Sequence, residues 1–349
     1  MDTSSITERA AAPSRAATGR TVRVGIAGAS GFAGQELLRW LAGHPHARVT
    51  AAMSSSPDGP ARTLPALARI WDGVIEPFSA DKLAEQSDVV FLALPEEAAA
   101  AIAPVLVERG IRVIDLSGAF RLRDGAAREK WYPATKLGSL KPVYGLTERN
   151  YGAIAGAQLI TNPGCYPTAA LLALEPLAET GLLAGEVVID AKSGVSGAGK
   201  KPSDRTHFSE NHGSVSAYGV FGHRHQPEIE QELGAAVTFV PHLVPLDRGI
   251  LETIYARVKP GTTSHDVAEA MSAAYKDAPF VRLTGKTLPE IKHAAYTNFC
   301  DIGWRVDAAG GRILLVSVID NLVKGAAGQA IQNMNVMLGY DERTGLLPA

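Results

Sequence analysis

Cysteine is nearly absent from this sequence: Cys165 and Cys300 are the only two in 349 residues. Two cysteines cannot build the disulfide framework of a small secreted scaffold. No apolar run approaches the roughly 18 residues that a membrane-spanning helix requires, and no secretory signal opens the chain. An excess of one charge is missing too, since 34 Lys and Arg against 36 Asp and Glu leave a net charge of −2. The basic residues are scattered, so there is no footprint of a nucleic-acid or anionic-membrane partner. What remains is a cytoplasmic protein with a small-molecule partner, long enough for two domains.

Residues 1–20, MDTSSITERAAAPSRAATGR, mix small, polar and charged types without apolar periodicity and read as a disordered leader. Asp2 and Glu8 argue against a transit peptide. From residue 21 the pattern becomes regular. TVRVGI (21–26) reads as a buried strand, Gly28 to Gly34 as a tight turn and QELLRWLA (35–42) as a helix. Further strands follow at 49–53, 89–94 and 113–116, with helical stretches such as EEAAAAIAPVLVERG between them. Alternating strands and helices predict an α/β, Rossmann-type doubly wound parallel sheet over residues 21–164.

After Cys165 the segments VVIDAKSGVSG (187–197), AVTFVPHLVPL (236–246), GILETIYARV (249–258) and GRILLVSVID (311–320) are longer and rich in β-branched residues. They suit a mixed or antiparallel sheet in a second, α+β domain over 165–323. The final stretch, KGAAGQAIQNMNVMLGY (324–340), reads as a helix whose small residues favour close packing, completing the first domain.

In GASGFAG the glycines stand at Gly28, Gly31 and Gly34, a wider first spacing than the common dinucleotide fingerprint. Glycine lets the backbone turn sharply and approach a pyrophosphate, while the helix start offers unpaired N–H groups to the anion. The alternative is a close-packed turn without a ligand. About 20 residues on, where an NAD site places an acid for the ribose 2′-hydroxyl, this chain reads SSSPD. Ser54, Ser55 and Ser56 can donate to a 2′-phosphate without repelling it, which favours NADP, although Asp58 keeps NAD open.

Cys165 lies in TNPGCYPTAA, just before a predicted helix that Pro167 would open at its first position. A helix N-terminus favours thiolate, the nucleophilic form of cysteine. A small buried hydrophobe is the alternative on residue type alone. Cys300, in TNFCDIG, lacks a comparable setting and reads as structural.

A thiol acting on an acyl group needs a proton carrier. Among nine histidines, those of GHRHQPEI stand out, with His223 and His225 flanking Arg224 just before a predicted helix. His225 at the helix start would be kept neutral by the dipole and free to accept a proton. A metal reading of the pair lacks a third ligand at matching spacing, so no metal is assigned. His207 and His212 read as loop residues. In DLSGAFR a strand end delivers Ser117 and Arg121 to the ligand-binding edge. The alternative for Arg121 is a surface salt bridge with Asp115 or Asp124. The run SGVSGAGK (193–200) can bring backbone donors or Lys192 near a ligand, but it lacks the ending of a nucleotide P-loop.

Taken together, GASGFAGQELLRWL, DLSGAFRL, NPGCYPTAA, KSGVSGAGK, GHRHQPEI and NLVKGAAGQAIQNMN resemble the N-acetyl-gamma-glutamyl-phosphate reductase family, within the wider aspartate-semialdehyde dehydrogenase group. The resemblance runs from about residue 22 to the end. It implies a homodimer or homotetramer of two-domain subunits that reduces an acyl phosphate with NADPH, with Cys165 as nucleophile and His225, or else His223, as acid/base. It also implies a cofactor set of Gly28, Ser30, Gly31, Phe32, Gly34, Ser54, Ser55, Ser196, Gly197 and Asn321. The implied substrate set is Ser117, Arg121, Asn162 and Lys192. Two rival readings are a reductase of aspartyl phosphate or of a longer acyl phosphate, and a nicotinamide-sensing regulator without catalysis.

Overall fold

The computed structural model describes residues 21–347, so the leader assigned to residues 1–20 lies outside the described residues. The chain divides into two compact units, one ending at Pro163 and resumed from Ala326, the other Gly164–Gly325.

The first unit runs β1 (Val22–Ala27), α1 (Phe32–Leu41), β2 (Ala47–Met53), α2 (Ala80–Gln86), β3 (Val89–Leu92), α3 (Glu96–Glu108), β4 (Arg112–Asp115), α4 (Gly125–Trp131), β5 (Val143–Tyr144), α5 (Thr147–Ile154) and β6 (Leu159–Thr161). Its six strands stand in the order β2-β1-β3-β4-β6-β5, and every pair is parallel. Parallel strands need helical crossovers that cover both faces, which is why β3 is buried at all four of its positions. The expected doubly wound sheet is present. Helix α1 begins at Phe32 rather than Gln35, so Gly34 lies inside the helix rather than in the turn.

The second unit contains α6 (Cys165–Glu179), β7 (Leu183–Gly194), α7 (Phe208–Asn211), β8 (Ser216–Ala217), α8 (His225–Leu233), β9 (Val237–Val244), β10 (Ile250–Val258), α9 (Ser264–Tyr275), β11 (Val281–Gly285), α10 (Ile291–Ala294), β12 (Cys300–Asp307) and β13 (Arg312–Ile319). The sheet order is β11-β12-β13-β10-β7-β9-β8, with parallel pairs at β11/β12 and β7/β9 and antiparallel pairs elsewhere. This is the mixed sheet expected of an α+β unit. Strand β12 is an addition to the strands expected from the sequence, where only Cys300 stands out in that segment.

Helix α6 is the buried spine of this unit, with nearly every residue from Tyr166 to Leu177 inside. Pro176 cannot donate to the carbonyl of Leu172 four residues earlier. The hydroxyl of Tyr275 on α9 donates to that carbonyl instead, at 2.5 Å.

The last helix, α11 (Gly328–Leu338), returns to the first unit and starts later than the sequence suggests. Before it, Val323–Ala327 forms a wide π turn, with the Gly325 amide donating to the Asp320 carbonyl at 2.9 Å. Among the described residues no helix is long and apolar enough to cross a membrane.

Candidate active site

In the first unit the glycine turn follows β1, at the carboxyl edge of the sheet where parallel α/β folds bind ligands. The amides of Gly28 and Ala29 both donate to the Met53 carbonyl at 2.8 Å, fixing the turn to the end of β2. Gly28 has φ of +84°, and a Cβ there would lie 2.1 Å from the Ala93 carbonyl oxygen. A Cβ on Gly34 would meet the Gly28 oxygen at 2.3 Å. These two glycines are required by the turn itself. Gly31 differs: it is the N-cap of α1, and a Cβ there would meet nothing nearer than 3.4 Å.

No side chain of the N-cap bonds the first turn of α1, and that turn holds no acidic residue. The amides from Phe32 onward therefore form a donor cradle that suits a dinucleotide pyrophosphate. Ser30 is held from below, its carbonyl accepting from the Gln35 side chain at 2.9 Å. Ser54, Ser55 and Ser56 follow β2 directly. The Ser54 hydroxyl donates to the Ser56 carbonyl at 2.7 Å and the Ser56 hydroxyl accepts the Asp58 amide, while Ser55 is exposed.

The loop after β4 is built around buried Asp115. Burial pushes its carboxyl up to about 6, against the lowering effect of bonds from the Ser117 amide and hydroxyl at 2.9 and 2.8 Å. The Ser117 hydroxyl also accepts the Ala119 amide at 3.1 Å, so its one proton and one of its lone pairs are committed to the loop. Arg121 is buried rather than at the surface, and its charge acts on Asp115. Its Nε donates to the Asn162 carbonyl at 2.8 Å and its Nη2 to the Leu116 carbonyl at 2.9 Å, which ties the loop to the strand end that precedes Cys165. Asn162 in turn accepts from Asn333 at 3.0 Å and donates to the Ala326 carbonyl at 3.2 Å. Ser117, Arg121 and Asn162 are thus brought together as a rigid frame.

In the second unit Cys165 is the first residue of α6, with Gly164 as N-cap and Pro167 two positions inside. The expectation that Pro167 opens the helix is corrected: the helix starts earlier because glycine takes the extended N-cap conformation and Pro167 still lies within the first turn, where no intrahelical N–H is needed. The cap is secured from α8, where buried Glu228 accepts the Gly164 amide at 2.8 Å. Gly325 backs the cysteine so closely that a Cβ there would lie 2.7 Å from Cys165 Cβ. Its segment is pinned by Asp320, which accepts the amides of Leu322, Val323 and Tyr296 at 2.8, 3.1 and 2.7 Å.

Rings gather around the residue after the cysteine. Tyr166 makes edge contacts with His223 and His225 at 5.9 and 5.8 Å between centroids, and the two histidines lie 4.8 Å apart. Tyr218 joins them, 5.5 Å from His223 and with its hydroxyl 3.3 Å from that of Tyr166. Burial holds both tyrosines protonated, and the nearby Cys165 adds to the effect. His225 opens α8, as expected. His223 has its imidazolium pushed down to about 4 by burial and by Arg224.

Asn321 and Ser196 are neighbours: the Asn321 amide nitrogen donates to the Ser196 hydroxyl at 3.0 Å and its oxygen accepts the Gly249 amide at 2.7 Å. Gly197 sits against Ser193, with room for no Cβ. Lys192 is not brought to this group. Side chains alternate along β7, so while Ser193 is buried on the helix-covered face, Lys192 lies on the other, paired with Asp190 at 2.8 Å beside His242. His207 and His212 flank the short helix α7.

Tyr218, Tyr166 and Glu228 escape a reading of the sequence alone. For Glu228 a signal exists, because it stands three residues after His225 on one helix face. For Tyr218 there is none, since the fold alone brings it to His223.

Residues 23–157 match the family model described as the semialdehyde dehydrogenase NAD binding domain, and residues 165–321 the one described as the semialdehyde dehydrogenase dimerisation domain. An N-acetyl-gamma-glutamyl-phosphate reductase from Brevibacillus brevis is 48% identical over 338 residues, covering 93% of this chain and 98% of the relative. One from Geobacillus sp. (strain WCH70) is 45% identical over 341 residues, covering 94% and 99%. Among solved structures, aspartate semialdehyde dehydrogenase II from Vibrio cholerae, complexed with ASA, superposes with a TM-score of 0.70 at 19% identity, covering 91% of this chain and 98% of that one. Aspartate semialdehyde dehydrogenase with NADP from Candida albicans gives 0.70 at 17% identity, covering 91% and 99%. These two share the fold. The glycine cradle, the capped cysteine and the sequence relatives agree, and the chain belongs to the N-acetyl-gamma-glutamyl-phosphate reductase family of the semialdehyde dehydrogenases.

Proposed function

We propose that this chain reduces N-acetyl-gamma-glutamyl phosphate to N-acetylglutamate 5-semialdehyde with release of phosphate, using NADPH, as a step of arginine biosynthesis. The observation that carries the reading is Cys165 as the first residue of a fifteen-residue helix, beside the His223, His225, Tyr166 and Tyr218 rings. The helix dipole favours the thiolate.

His225 takes the Sγ proton, and the thiolate attacks the acyl carbon. The bond from that carbon to the phosphate oxygen breaks, phosphate leaves with the electron pair, and a thioester remains on Cys165. Arg121 attracts the phosphate dianion while its Nε and Nη2 bonds hold its loop in place. The turn of Gly28, Ser30, Gly31, Phe32 and Gly34 would hold the pyrophosphate of NADPH, and the cofactor when bound would supply the hydride that takes the acyl carbon to the aldehyde level. His225 then returns a proton to the departing sulfur. Ser54 and Ser55 favour the 2′-phosphate of NADP, and Ser196, Gly197 and Asn321 complete the cofactor side. The working form is a cytoplasmic homodimer or homotetramer, in keeping with the dimerisation-domain match.

The test runs the reaction backwards: NADPH formation from N-acetylglutamate semialdehyde, NADP and phosphate, compared with aspartate semialdehyde and with NAD. We expect phosphate dependence and preference for the acetylated substrate and for NADP. A preference for aspartate semialdehyde would sink the substrate assignment, and equal use of NAD would sink the roles of Ser54 and Ser55.

A further inference from the structure

The two histidines of GHRHQPEI are not interchangeable. The backbone amide of His225 donates to Nδ1 of His223 at 3.1 Å. An amide N–H can only donate, so Nδ1 must carry a lone pair and the neutral ring must hold its proton on Nε2. No other hydrogen bond engages His223 among the described residues, which leaves Nε2–H uncommitted. The ring is half-buried, walled by Tyr166, Tyr218, His225 and Phe239. Tyr166 follows Cys165 directly in the chain, so this wall belongs to the nucleophile's helix start.

A ring fixed in this way cannot take the thiol proton: Nδ1 is occupied and Nε2 is already protonated. Both tyrosines beside it are neutral phenols, and the charge near it, Arg224, is positive. Burial and Arg224 together oppose a second proton on the ring. The chemistry left to it is donation to an oxygen that gains negative charge. Building on the reading above, we propose that His223 is a neutral hydrogen-bond donor, through Nε2–H, to the acyl oxygen of the substrate attached at Cys165, and that His225 alone carries protons. The acyl oxygen becomes an oxyanion as the sulfur adds and again as the thioester is reduced, and a donor placed for it stabilises both stages. Neutral imidazole suits this task because it gives a hydrogen bond without surrendering a proton.

The test separates donor from proton carrier by exchanging one ring nitrogen at a time in the full-length protein. In His223→Gln the amide nitrogen stands near Nε2 and keeps a donor. In His223→Asn the amide oxygen stands near Nδ1 and keeps the acceptor for the His225 amide, but the distal donor is lost. We expect kcat within about tenfold of wild type for the first and lower by roughly 10²–10³ for the second, with both keeping the wild-type limbs of the pH–rate profile. His225→Asn should change the profile itself. Nitrogen chemical shifts of isotope-labelled histidine should show His223 neutral with its proton on Nε2 across the active pH range. A proton on Nδ1, titration of His223 within that range, or loss of a pH limb in His223→Asn would overturn the proposal. Turnover by wild type is the separate control: its failure would refute the acyl-phosphate reading, while the tautomer is read in the same sample without turnover.

Discussion

A methyl group distinguishes the jobs of the three glycines in GASGFAG. At Gly34 its carbon would lie 2.3 Å from the Gly28 oxygen and 2.6 Å from Ala29 Cα, both backbone atoms that cannot yield without moving the turn. At Gly31 the nearest atom is 3.4 Å away, an ordinary contact. We therefore expect Gly34→Ala to lose about 1–3 kcal/mol of stability by overpacking. Gly31→Ala should melt with the wild type yet bind NADP about tenfold more weakly, because the added methyl sits at the N-cap of α1, where the backbone must let the pyrophosphate approach. Thermal melting beside calorimetric titration checks both, and unchanged NADP affinity in a well-folded Gly31→Ala would remove the cradle from the account. The spacing alone could not assign these roles. Lys192 shows a related limit: its place in KSGVSG suggests a ligand contact, but alternation along a strand turns every second side chain to the other face, and the register that decides which is set by long-range pairing.

At the scale of elements, β10 carries an unusual burden. Glu252 is fully buried between Ala191 on β7 and Ser317 on β13, and neither carboxyl oxygen has a hydrogen-bond partner among the described residues. Burial pushes this carboxyl well above its ordinary 4.5, only partly offset by Lys192. The sign follows from proton linkage. Above pH 4.5 the unfolded chain releases this proton while the folded protein keeps it, so stability falls as pH rises from there towards the raised folded value. Glu252→Met has similar length and no titrating group, and should gain in melting temperature over wild type progressively from pH 5 to pH 8. A constant difference across that range would show that Glu252 does not stay protonated. β10 is legible all the same, as the strand GILETIYARV, whereas β12 is not, its CDIGWRVD being broken by Asp301 and Gly303. Asp301 is tolerated because Arg282 on β11 pairs with it, at 2.6 and 2.8 Å, a partner nineteen residues away. By contrast β1 and α3 carry their signals locally as apolar stretches, and α8 by Pro227 near its start and Gly234 at its end, and the sequence places them within a few residues.

For the whole molecule, the change of pattern at Cys165, from strands alternating with helices to long β-branched strands, is legible in the order of residues alone, and it marks where the parallel sheet gives way to the mixed one. The chemistry is legible only in part. Cys165 and His225 announce themselves by their place at helix starts, whereas Glu228, Tyr218 and the Gly325 backing depend on tertiary contacts. The central claim is that Cys165 takes the acyl group from phosphate, and it is tested most directly without any nicotinamide. The protein is mixed with N-acetyl-gamma-glutamyl phosphate, quenched in acid and analysed by mass spectrometry. The account predicts one acyl adduct per chain on the peptide containing Cys165, with phosphate released in equal amount and no adduct in Cys165→Ser. Phosphate release without an adduct, or an adduct that survives in Cys165→Ser, would contradict it.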